Sequence, residues 1–296
     1  MTVIAEHLAK RYPEGTWGAR DVNFTAESGE ITVLLGPNGA GKSTTVGMLS
    51  TLLRPTRGRA LIEGMSTVEQ VWKIREIIAL CPQDIRVDFN WSPEEAIRGY
   101  LMVRGFKRNE IMEKSEEYLK KLDLWGVRNR PSIHLSGGQR KRIAVAMVLA
   151  SDAPVIFLDE PSSGLDVEAR YVVWKSLREE ASRGKTIILT THDMKEAEIL
   201  ADKVVMIAHG ETVAEGTVES MKSGLGHAYK IVVKNASRLP LKEDIDLGDR
   251  KIIYASSRTE ALEMMEKIEA EWVTLEEISL EDVYLHLIGG LKNGKD

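Results

Sequence analysis

ITVLLGPNGAGKSTTVGMLSTLL, residues 31–53, decides the fold. Its first five residues are an unbroken β-prone apolar run, its middle fits G-x-x-x-x-G-K-[ST], and TTVGMLSTLL reads as a helix. In a strand–loop–helix of this kind Gly36, Gly39 and Gly41 let the backbone turn so that several N–H groups point at phosphate oxygens. Lys42 adds a point charge for the terminal phosphates, Ser43 offers a hydroxyl to Mg²⁺, and the helix starting near Lys42 aims the positive end of its dipole at the same anion. A plain glycine-rich turn is the weaker reading, because the strand and helix that a polyphosphate loop requires are both present.

Two further apolar runs end at polar residues: VIFL before Asp159 and Glu160, and TIILT before Thr191 and His192. In an open parallel sheet ligands sit at the carboxyl ends of the strands, so all three motifs are expected to meet in one crevice. A carboxylate pair at the end of a buried strand is costly unless a cation or a reacting water compensates it. Asp159 would position Mg²⁺, while Glu160 would orient a water in line with the terminal phosphate. His192 carries a weaker signal, since a lone histidine after a strand is more often a satisfied surface or core residue. VVMIA followed by HGETVAEG suggests a closing hairpin at Gly210, and Gly216 is a plausible domain boundary.

Composition sets outer bounds. The 296 residues allow one large core and a small second domain, and 43% hydrophobic with 29% charged residues is ordinary for a globular protein. A net charge of −5 argues against a surface that coats nucleic acid. The lone Cys81 excludes an intrachain disulfide framework, and a small core side chain is its expected role. No secretory signal is expected in MTVIAEHLAKRYPEG, and no run reaches the ~18 apolar residues of a membrane span.

Between residues 84 and 150 the pattern turns helical. Ser92, Pro93 and Glu95 form a capping box with proline in the first turn, and Asn109 to Leu124 continue with helical spacing. This stretch reads as a helical insertion into the α/β core. After Thr217 come β-prone AYKIVV and KIIYA, a helix through ALEMMEKIEA, a short strand in EWVTLEEI and a last helix from Ser279, which together make a small α+β domain over 217–296.

LSGGQ at 135–139 first reads as a cap, with Ser136 and Gln139 bracketing the helix KRIAVAMVLA. A cap does not explain Gly137 and Gly138, each of which costs the helix about 1 kcal/mol relative to alanine. Close approach of a ligand to exposed N–H groups would explain them, making a second phosphate-binding surface.

With these motifs in this order, the chain resembles the ATP-binding subunit of an ATP-binding-cassette (ABC) transporter over residues 1–216. GPNGAGKST resembles the family's Walker A loop, Gln83 in CPQD its Q-loop, LSGGQ its signature, VIFLDE its Walker B strand, SSGLD with Asp166 its D-loop and His192 its switch. Val167 stands where many relatives have proline. The implied fold is an α/β P-loop NTPase domain with an inserted helical subdomain. The resemblance assigns ATP and Mg²⁺ as ligands, nucleotide binding to Asn38, Gly39, Ala40, Gly41, Lys42, Ser43 and Thr44, and metal binding to Ser43, Gln83 and Asp159. Catalysis falls to Glu160, His192 and Gln83. It also implies that two chains pair head to tail, Ser136, Gly137, Gly138 and Gln139 of one closing over ATP held by the other. An aromatic residue upstream of Walker A is expected to stack on adenine; Tyr12 is the better match and Trp17 the alternative.

A single cassette with one cysteine and an acidic balance favours a transporter subunit over a soluble cassette ATPase acting on ribosomes or nucleic acid. The expected partners are a second copy and a transmembrane permease subunit, at the cytoplasmic face of the membrane, with no nucleic acid. SLEDVYLHLIGG at 279–290 resembles the C-terminal element of ABC-2 class exporters; a capped amphipathic helix and the regulatory domain of an amino-acid importer are the rival readings. Ile85, Val87, Phe89 and Trp91 alternate with polar residues, as a buried strand would. The capping box that follows argues instead for a loop with exposed apolar side chains suited to a helix of the permease.

Overall fold

The computed structural model describes residues 2–84, 87–239 and 245–293. The strands and helices run β1 (Val3–Arg11), β2 (Trp17–Ala26), β3 (Ile31–Leu35), α1 (Lys42–Leu49), β4 (Arg57–Ile62), β5 (Met65–Ser66), α2 (Val71–Ile77), β6 (Ile78–Cys81), α3 (Pro93–Val103), α4 (Arg108–Lys121) and α5 (Gly137–Ala150). They continue with β7 (Val155–Asp159), α6 (Val167–Ser182), β8 (Thr186–Thr191), α7 (Met194–Leu200), β9 (Lys203–Ala208) and β10 (Glu211–Gly216). The remainder comprises α8 (Val218–Gly224), β11 (Tyr229–Arg238), β12 (Ile245–Asp246), β13 (Arg250–Ala255), α9 (Arg258–Met265), β14 (Glu269–Glu277) and α10 (Leu280–Asn293). The chain divides into two compact units, residues 1–215 and 216–296.

The first unit carries a ten-stranded sheet in the order β5-β4-β1-β2-β10-β9-β3-β8-β7-β6. From β9 to β6 the strands are parallel. ITVLL, VIFLD and TIILTT are buried at every position, as strands covered on both faces must be. Register sets the functional edge: Leu35 pairs with Thr191 and Asp159 with Thr190, so β3, β7 and β8 end level with one another. Beneath α1, Val46, Met48 and Leu49 pack with Leu34, Phe157, Ile188, Val205 and Ile207 in one apolar cluster. That packing fixes the helix start over the strand ends. The other half of the sheet, β1 with β2 and β4, is antiparallel.

Helices α3, α4 and α5 form the inserted helical part, and α3 opens with the expected capping box of Ser92 and Glu95. Residues 87–91 before it form no strand. Residues 89–90 turn, the backbone N–H groups of Ser132 and Ile133 donate to the carbonyls of Trp91 and Phe89 at 2.9 Å, and the two aromatic rings stay partly open. Val87 corrects the expectation, because it is only 7% exposed and belongs to the interior; Ile85 lies outside the described residues.

In the second unit the sheet order is β12-β13-β11-β14, antiparallel throughout, and Ile231, Val233, Ile253, Ala255, Ala261 and Ile268 form its core. The helix expected to run through Ala270 stops at Met265, since residues from Glu269 onward pair with β11 instead. Ser279 donates to Asp282 through both its amide and its hydroxyl, capping α10, and the buried Asp282 also accepts from Lys230. Among the described residues no helix is long and apolar enough to cross a membrane.

Candidate active site at the strand ends

The loop after β3 is shaped by two glycines that tolerate nothing larger. A Cβ on Gly36 would stand 2.1 Å from the carbonyl oxygen of Ile207, and Gly41 holds φ 106° at the cap of α1, a left-handed conformation that side chains disfavour. No side chain caps α1, so its first N–H groups face the cleft with the helix dipole behind them. Lys42 is nearly buried and donates to the carbonyls of Gly36 and Pro37 at 2.8 and 3.0 Å, which locks the loop around its own ammonium. Burial lowers the Lys42 pKa, while the nearby Glu160 and Asp159 charges pull it back upward. The cleft measures about 340 Å³ and is lined by Gly18, Asn38, Gly39, Gly41, Lys42, Ser43, Thr44, Gln83 and Glu160. Of the loop residues expected there, Ala40 is set apart: it is buried, and its carbonyl accepts from the amide of Gly210.

Level strand ends bring the acidic pair to this loop. Asp159 accepts from Ser43 Oγ at 3.1 Å and from the Thr190 hydroxyl. One residue on, Glu160 turns out of the sheet with φ 49°, an uncommon value for a residue with a side chain and a form of strain that gathers at functional sites. The turn is held by its amide, which donates to Thr190 Oγ1 at 3.0 Å. The Glu160 carboxylate then receives Gln83 Nε2 at 3.4 Å on one oxygen and lies 3.0 Å from His192 Nδ1 with the other. Two residues, 77 and 32 positions from Glu160 in sequence, thus share its carboxylate. Thr190 was not among the sequence candidates, although a threonine inside a buried apolar run is a legible signal.

The donor set suits a hard cation. Among the described residues no cluster of three His, Cys, Asp or Glu side chains could cage a metal, but Mg²⁺ usually takes one or two carboxylate or hydroxyl oxygens and completes its shell with phosphate and water. Ser43 and Asp159 offer that oxygen pair, with the Gln83 amide lining the same cleft.

Geometry separates the two candidate aromatics. The hydroxyl of Tyr12 is 3.3 Å from Thr44 Oγ1, and its ring edge lies where a side chain on cleft residue Gly18 would stand. Trp17 is flanked by the guanidinium groups of Arg57 and Arg11, 5.0 and 5.7 Å from its ring, and lines a different depression with His7 and Glu211.

None of the signature residues 135–139 lines the cleft of the same chain. Ser136 caps α5 and completes a capping box with Gln139. The cap explains these two residues only. Gly137 is exposed, and a Cβ there would meet nothing within 4 Å; on Gly138 it would stand 3.3 Å from the Leu165 side chain and 3.9 Å from Ser136 Oγ. Nothing within the chain therefore requires Gly137 to be glycine. Asp166 caps α6 by accepting from the Ala169 amide at 2.8 Å.

Comparison with known proteins agrees with this geometry. Residues 19–163 match the family model described as ABC transporter. The daunorubicin resistance ATP-binding protein DrrA3 of Streptomyces coeruleorubidus is 33% identical over 99% of this chain and 98% of its own length. Human phospholipid-transporting ATPase ABCA3 is 37% identical over 77% of this chain, which spans only 14% of that protein. The dimeric post-hydrolysis structure of the cassette MJ0796 bound to ADP and Pi superposes with a TM-score of 0.67 at 27% identity, over 73% of this chain and 98% of that one. The chain belongs to the ABC transporter family, and its α/β unit is an ATP-binding and ATP-hydrolysing cassette of the P-loop type.

Proposed function

We propose that this chain is the ATPase subunit of an exporter, working as a head-to-tail homodimer around two ATP molecules and driving a separate transmembrane subunit from the cytoplasmic face of the membrane. One observation carries the dimer: the exposed Gly137 at the start of α5 has no reason within its own chain, while the phosphate cleft is open on one side. The dimeric state of MJ0796 supports the same reading. In each site the loop amides and Lys42 bind the phosphates, and Tyr12 stacks on adenine. Glu160 orients the attacking water, with Gln83 and His192 holding its carboxylate. Bound at Ser43, Gln83 and Asp159, Mg²⁺ would neutralise phosphate charge.

Export is supported by the end-to-end match to DrrA3, a resistance protein by name. Sedimentation of Glu160→Gln with and without ATP tests the dimer. A shift from monomer to dimer only when ATP is present is expected; a monomer at all ATP concentrations, with wild-type turnover that does not depend on protein concentration, would refute it.

A further inference from the structure

Glu196 is a buried carboxylate that none of the recognised motifs uses. It sits in the first turn of α7, four residues after His192, and is 1% exposed. One of its oxygens accepts both from the Ser162 hydroxyl and from Trp174 Nε1 at 2.8 Å. Among the described residues it forms no ion pair, and its two side-chain donors are a hydroxyl and an indole N–H. Such a group is costly to bury, and its hydrogen-bond geometry is correspondingly demanding.

The two partners of Glu196 belong to parts that must act together. Ser162 lies two residues beyond Glu160, in the turn that leads to Asp166, and the amide of Ser163 donates to the Glu160 carbonyl at 3.3 Å. Trp174 is on α6, the helix that Asp166 caps. One turn earlier on α6, Arg170 pairs with Asp193 at 3.1 Å, and Asp193 in turn caps α7 beside His192. The loop therefore closes: Glu160 leads by chain to Ser162, Ser162 bonds to Glu196, Glu196 belongs to the turn that carries His192, and His192 returns to Glu160 at 3.0 Å.

We propose that Glu196 is a positioning residue that joins the Ser162–Asp166 turn and the His192 turn into one body. A shift of the Ser162–Asp166 turn then moves His192 against the Glu160 carboxylate without disturbing the phosphate loop. This rests on the assignment of Glu160 and His192 above, and adds a link that ties the position of His192 to the turn after Glu160.

Steady-state kinetics on the full-length protein test it. Ser162→Ala and Trp174→Phe each remove one donor to Glu196; kcat is expected to fall about tenfold in each, with KM for ATP within about twofold of wild type. Glu196→Ala is expected to be worse than either, and Glu196→Gln, which keeps an accepting oxygen, to recover most of the rate. In a Glu160→Gln background, Ser162→Ala should still dimerise with ATP, because binding is not what the link controls. Wild-type kcat in both Ser162→Ala and Trp174→Phe would overturn the proposal, as would a loss of activity that matches loss of folded protein by circular dichroism. Glu160→Gln alone, measured alongside, separates the two layers: if it hydrolyses ATP normally the site assignment has failed, and if it is inactive while both Ser162→Ala and Trp174→Phe are normal only the role of Glu196 has.

Discussion

Nδ1 of His192 lies 3.0 Å from Oε1 of Glu160, bridging the ends of β8 and β7. Neither residue could hold this place alone. Glu160 is turned toward the cleft by a left-handed backbone and by Thr190, and His192 by Asp193 and the short helix α7 behind it. Glu160 lines the same cleft as the glycine loop, and His192 holds its carboxylate there.

Replacing Glu160 by glutamine keeps its shape but removes the base. Turnover should fall by roughly 10²–10⁴-fold while ATP affinity stays within a few-fold. Lys42→Ala should do the reverse and weaken binding itself, because it removes both a phosphate ligand and the ammonium that holds the Gly36 and Pro37 carbonyls. Equilibrium binding of a fluorescent ATP analogue, set beside turnover, distinguishes the two patterns.

Gly137→Ala is a clean test of the signature surface. The added Cβ meets nothing, and alanine favours a helix by about 1 kcal/mol over glycine, so the melting temperature should hold or rise slightly. If a second copy brings ATP onto this backbone, hydrolysis should nonetheless fall at least about tenfold. Unchanged hydrolysis in Gly137→Ala would show that no ligand approaches there.

The sequence exposes the parallel half of the sheet and the motifs at its edge because strands buried on both faces read as unbroken apolar runs. The antiparallel half is far less legible. VIAEHLAKR and WGARDVNFTA mix charge and apolar residues and carry bulges, so β1 and β2 show no clean alternation. In the second unit, ALEMMEKIEA has helical spacing to its end, yet pairing with β11 claims the residues from Glu269 onward. Long-range partners are the other hidden layer: Glu196 meets Ser162 and Trp174 across 34 and 22 positions, and no local pattern marks such a group.

Tyr12 and Trp17 make opposite predictions for nucleotide affinity. Base–aromatic stacking is worth about 1–3 kcal/mol, so Tyr12→Ala should raise KM for ATP by roughly 5- to 100-fold. Trp17→Ala should leave KM within about twofold, since its faces already carry Arg11 and Arg57. The reverse ranking in an ATP titration would move the adenine site to Trp17.

Glu180 gives the cassette an acid-labile joint between α4 and α6. It is fully buried, accepts from Tyr118 at 2.9 Å and pairs with Lys121 and Lys185 at 2.6 Å each. Burial alone would raise its pKa, but the hydrogen bonds from Lys121 and Lys185 outweigh it and hold the carboxyl below its ordinary value of 4.5. A depressed carboxyl stabilises the fold fully above the unfolded-state pKa and loses that contribution as pH falls through the folded one. Thermal stability should therefore hold from neutral pH down to about 5 and fall below about 4.5. Glu180→Gln should reduce that acid dependence and cost about 3–5 kcal/mol at neutral pH by leaving buried lysines without their anion. Urea unfolding of both proteins at pH 7 and pH 4 checks the sign.

Phe89 and Trp91 are 53% and 46% exposed on a segment whose backbone is already pinned to Ser132 and Ile133, and Ile133 itself is 59% exposed. Their rings are therefore not needed to hold the segment, although Trp91 lies against Gly99 on α3, where a Cβ would come within 2.8 Å of the indole. If a membrane subunit docks as proposed, exposed Phe89 and Trp91, shortly after Gln83 of the cleft, with Ile133 beside them, offer an apolar surface to one of its helices. Motion of the Gln83 segment would then tie docking to the Glu160 carboxylate that Gln83 touches. Phe89→Ala with Trp91→Ala should leave basal hydrolysis by the isolated chain within about threefold and its circular dichroism unchanged, while preventing copurification with the membrane subunit. If the double variant instead loses basal hydrolysis together with its folded spectrum, the rings belong to the core and the docking surface lies elsewhere.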